Sequence, residues 1–362
     1  MPDLITRAEP LRRLAERLPE GEPVALDCEF VRERTFWPRL GLIQLRAAGQ
    51  TLLIDPLALD DPGPLRSLLN GRVPVLMHAP GEDLECFLHH YGWAPEPLFD
   101  TQLAAAFTGH GTGLGYQALV RALLGVELDK SETRSDWLRR PLSPAQLAYA
   151  AADVEHLHAL AGILAAELDA QGKRAWFEAD CRQAVARARA LIEAPDGRLS
   201  PRQVARLSPR VARRLQKILL WRERAARDHD RPRAWLLDNE TCHRLAHLAD
   251  GDRDAHDALI RQSQRAARFA ADALWEALAQ DPPLPPLPRP AERDEGLYRR
   301  QLKALQREVA RIAAEHDLPP ALLLPRKAIE RFLDEGDWPE ELGDWRKALL
   351  HAPLERVLAS TR

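Results

Sequence analysis

Asp27 and Glu29 stand two apart in an apolar run, Val24-Ala25-Leu26-Asp27-Cys28-Glu29-Phe30. Such a run reads as a β-strand, and side chains two apart on a strand share a face. Both carboxylates can therefore meet one ligand. Tyr149 and Asp153 are four apart in a helical stretch, which also places them on one face. Asp83 opens a third amphipathic segment. Four carboxylates in one cleft repel one another unless cations neutralise them. That composition suits a site in which two metal ions about 3.5–4 Å apart assist phosphoryl transfer. Mg2+ takes oxygen ligands and uses only a few protein carboxylates. Asp27 is expected to bridge the two ions, Glu29 and Asp153 to complete one shell, and Asp83 to hold the second ion through water. Tyr149 then stands beside the attacking water. An ordinary phenol ionises near pH 10, so orienting that water suits it better than acting as a general base.

Each piece alone is weak. Asp-x-Glu in a strand is usually edge decoration, Tyr-x-x-x-Asp is commonplace on helices, and an Asp at a helix start complements the macrodipole. The set is more specific, because charges inside an apolar run are costly unless paired.

The elements that must position these residues are legible in outline. Leu4–Arg17 reads as an amphipathic helix. Strands are expected at Val24–Phe30, Leu40–Arg46 and Thr51–Asp55, joined closely enough for an antiparallel meander, with another at Val73–His78. Gly81–Tyr91 carries an apolar stripe of Leu84, Phe87 and Leu88 and reads as helix. Asp100 or Thr101 should cap the helix that follows. Ser143-Pro144 is a helix start, and no Gly or Pro interrupts Ala145–Ala161. The expected fold is an α/β domain: a mixed sheet flanked by helices.

Composition sets the frame. The chain has 362 residues, 45% of them hydrophobic and 29% charged, as in an ordinary globular protein of two or three domains. No apolar run approaches the roughly 18 residues of a membrane span, so no membrane partner is expected. The N-terminus shows no secretory apolar core. Four scattered cysteines form no CxxC pair and suit a reducing cytoplasm. The net charge of −3 hides an asymmetry: residues 1–200 carry 21 basic against 28 acidic side chains, residues 201–362 carry 30 against 26. Residues 201–233 concentrate 11 basic against 3 acidic. An acidic metal-binding half joined to a basic segment suits a nuclease with a nucleic-acid-holding appendage; an Arg-rich solvated helix is the plainer alternative.

Beyond the Pro195-Asp196-Gly197 break, two helical blocks flank a proline-rich linker at 281–290. Each has a long amphipathic helix, a short Pro-containing apolar loop and a second helix start, repeated about 87 residues apart as tandem helical domains. In the first, Arg210, Arg213, Arg214, Lys217 and Arg224 are candidate backbone contacts. Residues 301–362 are not basic, with 10 basic against 11 acidic side chains.

The chain resembles the ribonuclease D family of the DEDD superfamily of 3′→5′ exonucleases. The first motif is Leu26-Asp27-Cys28-Glu29-Phe30, continuing through Arg34-Thr35-Phe36-Trp37-Pro38-Arg39-Leu40-Gly41-Leu42-Ile43-Gln44. The second is His78-Ala79-Pro80-Gly81-Glu82-Asp83-Leu84. The third is Tyr149-Ala150-Ala151-Ala152-Asp153, and Lys130-Ser131-Glu132-Thr133-Arg134-Ser135-Asp136-Trp137 stands between the last two. The sister branch has His five residues before the last Asp. Here that position is Ala148, so the resemblance is to the tyrosine branch. It implies a ribonuclease H-like exonuclease domain over 1–200, a first HRDC-type helical domain at 208–285 and a second, divergent one at 293–362. It implies Asp27, Glu29, Asp83 and Asp153 as ligands of two Mg2+ or Mn2+ ions, with Tyr149 orienting water. It implies release of 5′-mononucleotides from RNA 3′ ends, notably 3′-extended tRNA precursors, by a cytoplasmic monomer without an organic cofactor. A single-stranded DNA exonuclease and a non-catalytic RNA-binding protein with a relict site are the competing expectations.

Further substrate contacts are expected at Lys130 and Arg134, on phosphates, and at Gln44, on a sugar. Trp137 either stacks on a base or anchors its loop in the core, and Phe30 either packs on the terminal nucleotide or belongs to the core. His78 reads as structural, since Mg2+ prefers oxygen.

Overall fold

Strand β2 (Val24–Val31) runs antiparallel to β3 (Arg39–Ala47), and β3 runs antiparallel to β4 (Gln50–Ile54), which is the meander expected from their short connections. The molecule is a computed structural model that describes residues 4–71, 73–128, 135–193, 197–263, 270–287 and 294–361. Two short strands, β5 (Val75–Met77) and β6 (Leu98–Asp100), extend the sheet in parallel beyond β2. At the opposite edge β1 (Leu4–Ile5) lies parallel to β4, giving the order β1-β4-β3-β2-β5-β6. The helix expected over Leu4–Arg17 begins later than its periodicity predicts. Leu4 and Ile5 pair with Leu53 and Ile54, and the helix starts only at Glu9. A distant strand edge outcompetes local helical periodicity, which carries no trace of that partner.

Helices cover the sheet: α1 (Glu9–Arg17), α2 (Gly63–Leu69), α3 (Gly81–Tyr91), α4 (Thr101–Phe107), α5 (Tyr116–Leu124), α6 (Pro144–Glu155), α7 (Leu157–Ala170) and α8 (Arg174–Glu193). Alternation along the strands divides the core. Leu26, Cys28, Ile43, Leu45 and Ile54 join the main core, whereas Leu42 and Leu53 pack with Trp137, Leu142 and Ala150 beneath α6. Asp27 and Glu29 pair with Gln44 and Leu42 and share their face, so the carboxylates look toward α6.

By packing, the chain forms two units. One comprises Met1–Val31, Arg39–Ala190 and Arg293–Arg362; the other comprises Arg32–Pro38 and Leu191–Glu292. In the first, the last helical block shares the core of the α/β part. Arg346 forks onto buried Asp180 with contacts of 2.5 and 2.6 Å, and Trp345 donates to the same carboxylate while stacking on Trp176 at 4.9 Å. Lys173 donates to the carbonyls of Phe107 and Asp317. The sequence boundary near residue 293 therefore marks a repeated helical block, but that block buries its apolar face, including Leu305, Val309 and Leu350, in the core of the α/β part.

In the second unit the basic helix Pro209–Asp228 buries Val211, Leu215 and Ile218 and is capped by Ser208. A short helix Arg233–Leu236 and the Asp238-capped helix Asn239–His247 follow, matched in order by Glu295–Glu315, Pro320–Leu323 and Arg326–Glu335 in the other block. The segment Arg32–Pro38 belongs to this unit. Its Phe36 is buried, the Asp230 carboxylate accepts the backbone N–H groups of Phe36 and Trp37 at 3.0 Å, and the Arg227 and Arg233 guanidinium groups lie over the Phe36 ring. No helix among the described residues is long and apolar enough to cross a membrane.

Candidate active site

Strand β2 carries Asp27 and Glu29, the first turn of α3 carries Asp83, and α6 carries Tyr149 and Asp153. The fold brings all five together. Carboxylate oxygens of Asp27, Glu29 and Asp153 lie within 4.8 Å of one another. Asp83 is buried and is the charge that repels Asp27 most strongly. Tyr149 and Asp153 lie one turn apart on α6 and act on each other electrostatically, as Cys28 and Asp83 do across the strand and α3.

The electrostatics follow from crowding. Burial, then repulsion by Asp83, Asp153 and Glu29, holds Asp27 well above the usual carboxylate range. Burial with Asp153 and Asp83 pushes Glu29 up to about 8. Burial raises Asp83 to about 7, helped by Glu82 and Asp100, and burial raises Asp153 to about 7. Burial and the neighbouring carboxylates move the Tyr149 phenol upward as well, so it stays a neutral donor near pH 7. These oxygen donors, converging and poorly able to ionise together, fit hard divalent cations, whose charge would reverse every one of these shifts.

Several residues outside that set hold it in place. Asp100 caps α4, accepting from Gln102 and Leu103, and the same oxygen accepts from the N–H of Ala79 at 3.0 Å. Ala79 has the positive φ of 54°, and the chain turns there into α3 and Asp83. At the start of α6, Ser143 and Gln146 form a complete capping box. Before it, Arg140 binds both oxygens of buried Asp55 at 2.7 Å and donates to the carbonyls of Gly41 and Trp137. Trp137 thereby lies against Tyr149, ring centroids 6.2 Å apart. Arg140 and Asp55 escaped the sequence reading, since Arg-Arg-Pro and a strand-end Asp carry no local sign of partnership across the fold.

The helix expected over Ala145–Ala161 is broken at His156, without Gly or Pro. The reason is Tyr116. Its hydroxyl donates to the Ala152 carbonyl at 3.2 Å and accepts from the His156 N–H at 3.1 Å. Those two groups would otherwise bond each other in a continuous helix. A tyrosine after a glycine-rich loop looks like any core aromatic and carries no local sign of that role.

The expected substrate contacts fare unevenly. Trp137 is 2% exposed and belongs to the core beneath α6, which corrects the stacking alternative. Phe30 is half-buried against the main core, to which buried Cys28 belongs. Gln44 is fully buried opposite Asp27, with neither amide atom bonded to a protein partner, which corrects its expected reach to a sugar. Lys130 and Arg134 lie outside the described residues. His78 is structural as expected, bonded to the Thr101 hydroxyl and the Leu114 carbonyl at 2.9 Å each, and burial lowers it to about 4. In the helical unit, Arg210 and Arg214 pair with Asp250, Arg213 donates to the Pro285 carbonyl, and Lys217 to the Gln280 carbonyl. Arg224 is exposed.

Residues 2–169 match the 3′-5′ exonuclease family. Ribonuclease D of Xanthomonas oryzae pathovar oryzae is 40% identical over the whole of this chain and 99% of its own length. Ribonuclease D of Escherichia coli K12 is 34% identical over 98% of each chain. The crystal structure of Escherichia coli RNase D, described as an exoribonuclease involved in structured RNA processing, superposes over 99% of each chain with a TM-score of 0.87 at 33% identity. The similarity runs through the α/β part and both helical blocks alike, and the chain belongs to the ribonuclease D family, hydrolases that act as 3′→5′ exoribonucleases.

Proposed function

We propose that this chain hydrolyses RNA from its 3′ end at the Asp27–Glu29–Asp83–Asp153 cluster, releasing 5′-mononucleotides. The observation that carries the reading is the convergence of Asp27, Glu29 and Asp153 oxygens within 4.8 Å, with buried Asp83 repelling Asp27 from α3. These four carboxylates would hold two divalent ions, Mg2+ or Mn2+. Bound there, such ions supply a water of lowered pKa and stabilise the leaving oxygen. Tyr149, one turn before Asp153 on α6 and packed on Trp137, orients the attacking water. The water oxygen bonds to the terminal phosphorus, the bond from phosphorus to the 3′ oxygen of the penultimate nucleotide breaks, and that oxygen takes up a proton.

The substrate proposed is RNA with a structured body and a short 3′ extension, tRNA precursors foremost. The first helical block, at 208–285, is proposed to hold its backbone, chiefly through exposed arginines such as Arg224. The block at 293–362, which packs on α8 through Arg346 and Asp180, supports the α/β part instead. The chain is proposed to act as a monomer in the cytoplasm, where its four buried thiols remain reduced.

The test supplies 3′-extended tRNA, unstructured RNA and single-stranded DNA with Mg2+ or Mn2+ and identifies the products. Shortening from the 3′ end to 5′-mononucleotides, with RNA favoured, is expected. The variant Asp27→Asn should lose more than about 100-fold in rate while keeping RNA binding in Ca2+. Undiminished Mg2+-dependent hydrolysis by that variant, or equal use of DNA, would overturn the assignment of site or substrate respectively.

A further inference from the structure

Helix α6 and helix α7 could have been one helix. Nothing in residues 144–170 forbids it except Gly162, and the break does not fall there. It falls at His156, where the Tyr116 hydroxyl occupies the place of a backbone hydrogen bond. The carbonyl it captures belongs to Ala152, the residue immediately before Asp153. Tyr116 itself is anchored: it opens α5, and its ring stands edge-on to His78 at 5.8 Å. His78 is in turn tied to Thr101 and Leu114.

The consequence is geometric. Helix α6 lies over β2, β3 and β4, presenting Tyr149 and Asp153 to Asp27 and Glu29. Helix α7 packs instead against α4, α5 and β5. The two helices follow different surfaces, and an inserted side chain is a recognised way for a helix to be interrupted or bent. Asp153 sits on the last turn of α6 before the interruption, so the form of the break bears on how far its carboxylate reaches toward Asp27.

We propose that Tyr116 is a positioning residue for the metal-binding carboxylates: its inserted hydroxyl sets the α6–α7 break and thereby the place of Asp153. The inference rests on the carboxylate cluster holding divalent ions, as argued above. The electrostatics agree with the hydrogen bonds: after burial, Asp153 and Asp27 are among the charges that raise the Tyr116 phenol.

The variant Tyr116→Phe isolates the hydroxyl, because the ring keeps its edge contact with His78. The freed Ala152 carbonyl and His156 N–H can then close onto each other. The measurement is calorimetric titration of the full chain with MnCl2 alone, beside Asp153→Asn as control. Mn2+ affinity in Tyr116→Phe is expected to fall about 10-fold or more, as is usual for groups that orient metal ligands. Its thermal midpoint should stay near wild type, since one backbone bond replaces two bonds to the phenol. With RNA, kcat should fall at an unchanged KM. Wild-type Mn2+ affinity in Tyr116→Phe, with affinity lost in Asp153→Asn, would overturn the role of Tyr116 and leave the carboxylate site standing. Wild-type affinity in both would overturn the carboxylate site and this inference with it. A Tyr116→Phe chain that fails to fold would also refute it, by showing that the hydroxyl holds up the domain instead of setting one helix angle.

Discussion

Gly41 lies so close to Trp137 that a β-carbon at position 41 would stand 2.6 Å from the Trp137 carbonyl oxygen and 2.9 Å from its Cβ. Backbone and Cβ cannot swing aside as the end of a flexible side chain can. Position 41 therefore admits no side chain while Trp137 is in place, and Trp137 is what Tyr149 leans on. Gly41→Ala should destabilise the protein by about 1–3 kcal/mol, the usual range for forcing extra volume into a packed core. Thermal melting measures that loss, and kcat should fall with it as Tyr149 loses its support. A variant with an unchanged midpoint would mean that the Trp137 segment moves freely.

The carboxylate cluster gives the metal-free protein an unusual pH dependence. Glu29 rises from 4.5 to about 8, and Asp83 and Asp153 rise from 3.8 to about 7. Between those limits the folded chain retains protons that the unfolded chain has released. Stability is then fully present below about pH 4 and falls as pH rises toward 8, opposite to the behaviour of salt-bridged carboxylates. Urea unfolding in EDTA at pH 5 and pH 8 should show the lower midpoint at pH 8. Adding Mg2+ at pH 8 should restore it, and a midpoint indifferent to pH and Mg2+ would count against the cluster.

The basic residues of the helical unit should divide into two classes. Arg214 is largely enclosed and paired with Asp250 at 2.6 Å, so Arg214→Ala should lower the melting temperature. Arg224 is exposed, and Arg224→Ala should leave melting unchanged while reducing the salt slope of RNA binding by about 0.7–1. Filter binding across a range of KCl concentrations reads the slope. Equal effects of both variants on the slope would return Arg214 to the set of backbone contacts.

Arg346 and Asp180 are 7% and 6% exposed and form a forked pair. Removing one partner strands the other in the core, which typically costs about 3–5 kcal/mol. Arg346→Ala should therefore destabilise the α/β part together with the C-terminal block, in one unfolding transition. Two separated transitions in calorimetry would show that the block folds independently.

What the sequence determined is what depends on near neighbours. Alternation placed Asp27 and Glu29 on one face of β2. Helical spacing placed Tyr149 one turn before Asp153, and Ser143-Pro144 started α6 as expected. The strands of the meander, the cap at Ser143 and the repeat of helical elements were legible for the same reason: periodicity and capping act within a few residues. What only the tertiary structure decided depends on partners far along the chain. Leu4–Ile5 became a strand because Leu53–Ile54 offered an edge. Trp137 became core because Gly41 and Arg140 fix its backbone. Arg210, Arg213, Arg214 and Lys217 found acceptors inside their own unit. The break after Asp153 came from Tyr116, whose hydroxyl competes with a backbone bond that no inspection of residues 144–170 alone would find missing. A hydrogen bond acts over about 3 Å, and the sequence cannot show which distant residues folding will bring that close.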